Sequence, residues 1–475
     1  MLFNSIEYLF FLISFLSIYW LLSKKLGYQN LFILFSSYIF YGWWDYRFLA
    51  LILLSSLVDF TIGNLLYRSN DLVIRKFYLS LSLVFNLGIL GFFKYYNFFI
   101  EEFSAFASIF NFHFSPNYLN IILPVGISFY TFQTLGYSID IFKGNIKPTN
   151  NIISFLTYVS FFPQLVAGPI ERASNLLPQI DSKRNFNKLT FNEGLRQITW
   201  GLFKKVVIAD NCAVYVDFVF ADSASFSSLS LLIGMIFFAI QIYCDFSGYS
   251  DIAIGTAKLM GIKLMTNFNY PYFSKNIGEF WRRWHISLST WFRDYLYIPI
   301  GGSRGNMYSK IRNILIIFLV SGFWHGANWT FIFWGLLNAL FSLPYILTKN
   351  KNKNNHYHQN NLIFKFKEIG LIIFTFFQTC LAWVYFRSST IGEANSYILN
   401  LFTLKNTGNT IDVPFYLSII IILFFLVEYF GKNNVFPLEK IRYPIYIRYL
   451  IYCILIFMIL IFSTESDRSF IYFQF

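Results

Sequence analysis

Charge is scarce in this chain. Asp, Glu, Lys and Arg make up 13% of its 475 residues and hydrophobic residues 56%, where a soluble domain carries roughly 25% charged residues. That excludes an ordinary soluble globule and makes lipid the expected solvent. Cysteine is also sparse. Cys212, Cys244, Cys380 and Cys453 are far apart, which excludes a disulfide framework or a Cys-based metal site. They read as buried small hydrophobes. There are five histidines. His113 stands alone, His356 and His358 sit in a polar loop, and no metal site is predicted. A G-x-S-x-G elbow is absent, and "DFSGYSD" does not replace it. No internal repeat is visible, which counts against the many transporter folds built from repeats. No basic residue precedes the first apolar run. Glu7 comes first and Lys24 and Lys25 follow it, so the N-terminus reads as an uncleaved first span, not a secretory signal.

Aromatics are abundant instead, at 22%, with 61 Phe and 33 Tyr. Such side chains suit bilayer interfaces and tight packing inside a membrane. The net charge of +13 is scattered between apolar runs, which points to cytoplasmic loops and against nucleic acid. Candidate spans lie near 7–22, 28–44, 48–66, 77–100, 118–140, 152–169, 196–219, 228–244, 311–322, 327–347, 363–386, 413–430 and 445–463. The segments 118–140 and 311–322 are the weakest. Lys24 and Lys25, the group Arg68, Arg75 and Lys76, and the basic segment 171–205 with Lys204 and Lys205 place those loops in the cytoplasm and the N-terminus outside. Two polar inserts, 348–361 and 404–414, interrupt the pattern, the first reading as a mobile loop. The expected fold is an all-α polytopic membrane protein.

The stretch 264–312 carries too many charges for a simple span yet is full of aromatics, so it should lie at an interface or re-enter the membrane inside protein. Helical spacing over 279–297 puts Trp281, Trp284, His285, Leu288, Trp291, Phe292 and Tyr295 on one face. Arg282, Arg283 and Arg293 fall largely elsewhere and could hold either lipid headgroups or the phosphates of a coenzyme donor. "PIGGSRG" (299–305) follows as a tight turn. His285 is either a packed core residue or a catalyst. His325, in "SGFWHGANWTFIFWG" (321–335), is the sharper candidate, because ionisable residues inside a membrane are costly. Burial would keep its imidazole neutral and able to accept a proton from an attacking hydroxyl. Gly322 and Gly326 would let a substrate approach the backbone. The structural alternative is a histidine bonded to a carbonyl, tying two helices together. In "QIYCDFSGYSDIAIG" (241–255), Asp245 and Asp251 are six apart and do not share a face. With Ser247 and Tyr249 between them, they read either as a kinked helix lining a polar cavity or as a capped helix end. Trp324 and Asn328, beside His325, complete the candidates.

Both histidine motifs, "NYPYFSKNIGEFWRRWHISLSTWFRDYLYIPIGGSR" and "SGFWHGANWTFIFWG", resemble the membrane-bound O-acyltransferase superfamily. Within it the similarity points to the bacterial alginate O-acetyltransferase branch. "FFPQLVAGPIER" (161–172), "YCDFSGYSDIAIG" (243–255), "WVYFRS" (383–388) and "FIYFQF" (470–475) agree. The resemblance implies roughly 11–13 membrane helices plus re-entrant or interfacial helices around a central tunnel. It implies a single membrane domain over 1–475, with N-terminal helices 1–150, a catalytic core 151–347, the loop 348–361 and C-terminal helices 362–475. His325 is then the principal catalytic residue and His285 the second. Asp245, Ser247, Tyr249, Arg282, Arg283, Trp284, Arg293, Trp324 and Asn328 become candidates for the tunnel or the donor. Asp245 is the guess for orienting His325 or lining the tunnel. The implied reaction takes acetyl from acetyl-CoA, with no permanently bound cofactor, towards a surface polysaccharide. An extracytoplasmic SGNH-hydrolase-like partner would finish the transfer at the bacterial inner membrane. D-alanyl transfer to teichoic acid and a lipid or glycan transporter remain the alternatives.

Overall fold

A computed structural model describes residues 1–112, 115–166, 168–348, 362–403, 408–440, 443–463, 468 and 470–473. His113 and residues 349–361 of the polar loop, with His356 and His358, lie outside the described residues. Among the described residues the fold is all-helical. A lone bridge between Phe226 and Asn409 is the one β-type pairing there. The chain forms two compact units, Met1–Gly194 with Thr256–Met265, and Leu195–Gly255 with Thr266–Phe475.

The first unit contains α1 (Ile6–Leu21), α2 (Leu26–Asp45), α3 (Leu49–Arg68), α4 (Leu72–Leu90), α5 (Tyr96–Ile109), α6 (Ile127–Phe142), α7 (Ile152–Ser160), α8 (Phe162–Leu165) and α9 (Ala173–Ile180). Polar residues start several of them. Ser5 Oγ accepts from the Tyr8 N–H at 3.2 Å, and Asp71 Oδ1 from the Val73 N–H at 2.7 Å, satisfying amides that a helix start leaves unpaired. The expected span 118–140 becomes helical only at Ile127, because Gly126 ahead of it is left-handed (φ 77°). Inside the unit, Asp59 of α3 is buried and accepts from Ser82 (2.5 Å) and Asn86 (2.6 Å) of α4 and from Ser138 (2.7 Å) of α6. Neutral donors satisfy this carboxyl and pin three helices around it.

The second unit takes over α10 (Lys188–Leu202) from Leu195 onward. It continues with α11 (Asp210–Ala221), α12 (Ser228–Leu259, to Gly255), α13 (Ile277–Arg283), α14 (Ile286–Phe292), α15 (Met307–His325), α16 (Trp329–Thr348), α17 (Leu362–Arg387), α18 (Ile391–Phe402), α19 (Phe415–Gly431) and α20 (Ile445–Phe462). A π-helical turn, Phe203–Ala209, joins α10 to α11.

Among the described residues five helical stretches are long and apolar enough to cross a membrane: Leu26–Arg68, Leu72–Ile109, Ser228–Leu259, Phe366–Arg387 and Ile445–Phe462. Ile6–Leu21, Ile152–Leu165 and Phe415–Gly431 are apolar but shorter. Of α20 only Leu455 is buried, so this helix presents apolar side chains almost all round, as a lipid-solvated helix does. Cys453 on it is exposed, unlike the buried Cys212, Cys244 and Cys380, which corrects the expectation for that cysteine. Lys204 and Lys205 do not lie in a basic loop. They are 3% and 1% exposed in the π-helical turn.

Candidate active site

The expected helix over 279–297 is broken. α13 ends at Arg283, Trp284 is extended, and His285 adopts φ 42°, ψ 56°, before α14 restarts at Ile286. A residue other than glycine is uncommon in this left-handed region, and here a neighbouring loop holds it. The Ile286 N–H donates to the Asn267 carbonyl at 2.8 Å, and Ser287 Oγ donates to Asn267 Oδ1 at 2.6 Å. On the other side of the break the Asn269 N–H donates to the Arg283 carbonyl at 2.9 Å. The break turns His285 inward, where it is 1% exposed.

His325 is the last residue of α15, and Gly326 after it is extended. Asn328 forms the turn into α16. Its Oδ1 accepts from the Thr330 N–H and its Nδ2 donates to the Ser389 carbonyl, both at 2.9 Å. A Cβ on Gly322 would stand 2.3 Å from the Phe331 carbonyl oxygen, and one on Gly326 would stand 2.1 Å from the Phe331 ring. These glycines therefore admit α16, not a substrate, which corrects the role expected for them.

The two turns bring the histidines together. Both line one cavity of about 200 Å3, with Trp281, Arg282, Trp284 and Phe292. Trp324 stands between them, its ring 4.9 Å from that of His325 and 6.3 Å from that of His285. Trp334 and Phe386 close the His325 side, at 5.1 and 5.3 Å. Phe246 packs edge-on to His285 at 4.6 Å. Burial pulls the His285 pKa down to about 3, so this imidazole is neutral at physiological pH. Neutral imidazole inside an aromatic chamber can accept a proton from a hydroxyl or hold one towards a leaving group.

The remaining candidates take other places. Arg282 lines the cavity and lies over the Tyr345 ring at 5.8 Å. Arg283 pairs with Glu279 at 2.7 Å and Arg293 with Asp294 at 2.8 Å, so neither joins the lining. α12 runs as continuous helix through 241–255 and does not end there. Its acids face the lysines of the π-helical turn. Asp251 pairs with Lys204 at 2.6 Å, and Ser247 accepts from the same Nζ at 2.9 Å. Asp245 pairs with Lys205 at 2.8 Å, and Lys205 also reaches Asp210 at 2.7 Å. Mutual neutralisation lets these charges be buried. Asp245 does not contact His325. Its Oδ2 accepts from the Ile471 N–H at 2.7 Å, and Tyr249 packs on Phe470 at 4.6 Å.

That contact exposes what sequence reasoning missed. The segment Phe470–Tyr472 threads back to the chamber, with the Tyr472 ring 5.7 Å from His325 and 4.6 Å from Phe246. Only the resemblance of "FIYFQF" marked it. Nothing marked Asn267, and Lys204 and Lys205 were read only as part of the basic segment 171–205.

Residues 145–384 match the membrane-bound O-acyltransferase family. The chain is 43% identical over 341 residues to a probable alginate O-acetylase of Azotobacter vinelandii, covering 70% of this chain and 66% of that protein. It is 35% identical to the counterpart from Pseudomonas putida over the whole of both chains. It is 37% identical to a peptidoglycan O-acetyltransferase of Helicobacter pylori, covering 78% and 73%. The match thus spans just under two thirds of the Azotobacter protein and all of the Pseudomonas one. A teichoic acid D-alanyltransferase of Bacillus subtilis is more distant, 28% identical over 56% of this chain. With paired histidines in an aromatic chamber on an all-helical membrane scaffold, and similarity running the length of the sequence, the chain belongs to the membrane-bound O-acyltransferase family.

Proposed function

We propose that this protein is a membrane O-acetyltransferase that takes an acetyl group from acetyl-CoA on the cytoplasmic side of a bacterial inner membrane and passes it outward for O-acetylation of a cell-surface polysaccharide. The observation that carries the reading is the meeting of His285 and His325 on one apolar-walled cavity. A cavity of about 200 Å3 suits the acetyl thioester end of a donor, with the bulk of the coenzyme outside it. Arg282, which is on the lining, is the arginine we assign to donor phosphate; Arg283 and Arg293 are held by their own carboxylates.

The chemistry balances on the chain's own groups. His325 takes the proton of an acceptor hydroxyl as its oxygen attacks the thioester carbonyl. The carbon–sulfur bond then breaks, and the proton passes from the imidazolium to the leaving thiolate. His285, neutral at physiological pH, orients the acyl group. An SGNH-hydrolase-like partner outside the membrane would receive the acetyl group and deliver it to the glycan. We assign the N-terminus to the outside on the basic Lys24 and Lys25 that follow the first apolar run. D-alanyl transfer is the weaker reading, since the relatives that perform it are the more distant ones.

The test is transfer of labelled acetyl from acetyl-CoA to surface glycan in membranes carrying the partner. His325→Ala at matched protein level should lose at least about a hundredfold, the usual contribution of a general base, and His285→Ala should also lose activity. Full labelling in His325→Ala would sink the mechanism. Labelling from a D-alanyl carrier protein and none from acetyl-CoA would replace the donor.

A further inference from the structure

In the first unit a cavity of about 570 Å3 opens beside the end of α1. Three cations line it: Lys24, Lys183 and Arg184. Arg184 is 4% exposed, yet its hydrogen-bond partners are the neutral amides of Gln29 (3.0 and 3.1 Å) and Asn30. Its further contact is the Tyr19 ring, at 5.8 Å. Asp181 acts on it through space but makes no ion pair with it. Among the described residues no carboxylate lies within ion-pair reach of Lys24, Lys183 or Arg184. A buried guanidinium without a counterion is costly, and the exposed Lys24 and Lys183 add positive charge at the rim of the same cavity. The rest of the lining includes aromatic rings from Trp20, Phe186 and Phe191.

The location narrows the ligand. The apolar run of α1 ends at Leu21–Leu22, and Lys24 follows after Ser23, which sets Lys24 at headgroup depth for a membrane helix. A ligand here must present an anion at headgroup level and a hydrocarbon body towards Trp20. We propose that this cavity binds an anionic phospholipid, with its phosphate against Lys24, Lys183 and Arg184 and an acyl chain along Trp20, Phe186 and Phe191. Juxtamembrane basic residues draw anionic lipid in the same way, each contributing about fivefold in affinity.

The experiment is lipid retention by the full chain, purified in mixed micelles of phosphatidylglycerol and phosphatidylcholine and read by mass spectrometry. Wild type should retain phosphatidylglycerol preferentially. Lys24→Ala/Lys183→Ala should lower that preference by about tenfold or more, with its melting temperature in phosphatidylcholine unchanged, because both lysines are exposed. Lys183→Glu alone should lower it further than Lys183→Ala. Equal retention of the two lipids by wild type, or a preference untouched by the double substitution, would overturn the proposal. Loss of the preference on adding inorganic phosphate would overturn it too, since a soluble anion would then suffice.

Discussion

The backbone at His285 is bought at a cost that Asn267 offsets. A left-handed residue outside glycine is unfavourable by about 1 kcal/mol, and one asparagine spans the break with its carbonyl and its side-chain oxygen. Asn267 is thus a positioning residue for the imidazole. Asn267→Ala should cut kcat by about tenfold to a hundredfold, in line with a catalytic group displaced by an ångström, while KM for acetyl-CoA stays near wild type. Asn267→Asp keeps the acceptor oxygen and should restore much of kcat. Equal losses in both variants, tracking protein level, would mean Asn267 serves folding alone. At this scale the two histidines were legible because they stand in long aromatic motifs. Asn267 was not, because a buried amide acceptor has no spacing that betrays it.

Helices meet through absences as well as contacts. α15 and α16 approach where Gly322 faces the Phe331 carbonyl and Gly335 faces the Phe318 carbonyl, each 2.3 Å from where a Cβ would stand. Gly322→Ala must push the pair apart and should cost about 1–3 kcal/mol, visible as a lower melting temperature in detergent; an unchanged value would mean the hairpin yields freely. A second prediction concerns the turn before α9. Glu171 accepts from the Met265 N–H and from Asn175 Nδ2, and burial raises its pKa from 4.5 to about 6. Between those values the folded state binds the extra proton, so stability falls as pH rises towards and through about 6. The loss is on the order of 2 kcal/mol. Glu171→Gln should flatten the melting temperature over that range; a persisting slope would assign it to another group. Helices were readable from apolar runs, most within a few residues, though of the thirteen expected spans only five stretches among the described residues are long and apolar enough to cross. α12 misled because Asp245, Ser247, Ser250 and Asp251 look like a break when read alone. Lys204 and Lys205, which keep it helical, come from a different element, and ion pairs across elements leave no trace in local pattern.

Over the whole second unit, the chamber is assembled from parts far apart in the chain: α13 and α14, the end of α15, Phe386 of α17, and Phe470–Tyr472. Deleting residues 468–475 should leave both histidines in place yet abolish acetyl transfer. Full transfer by the truncated protein at normal level would make the segment dispensable. Family and fold were legible from the motifs; the return of this segment was not, since it depends on Asp245 capturing the Ile471 amide.

That capture has a temporal side. Synthesis reaches His285 and His325 well before it reaches residue 470, so until then Asp245 has no Ile471 amide to hold and no Tyr472 ring stands beside His325. Packing around His325 and Phe246 is therefore complete only once Phe470–Tyr472 has been made and has docked.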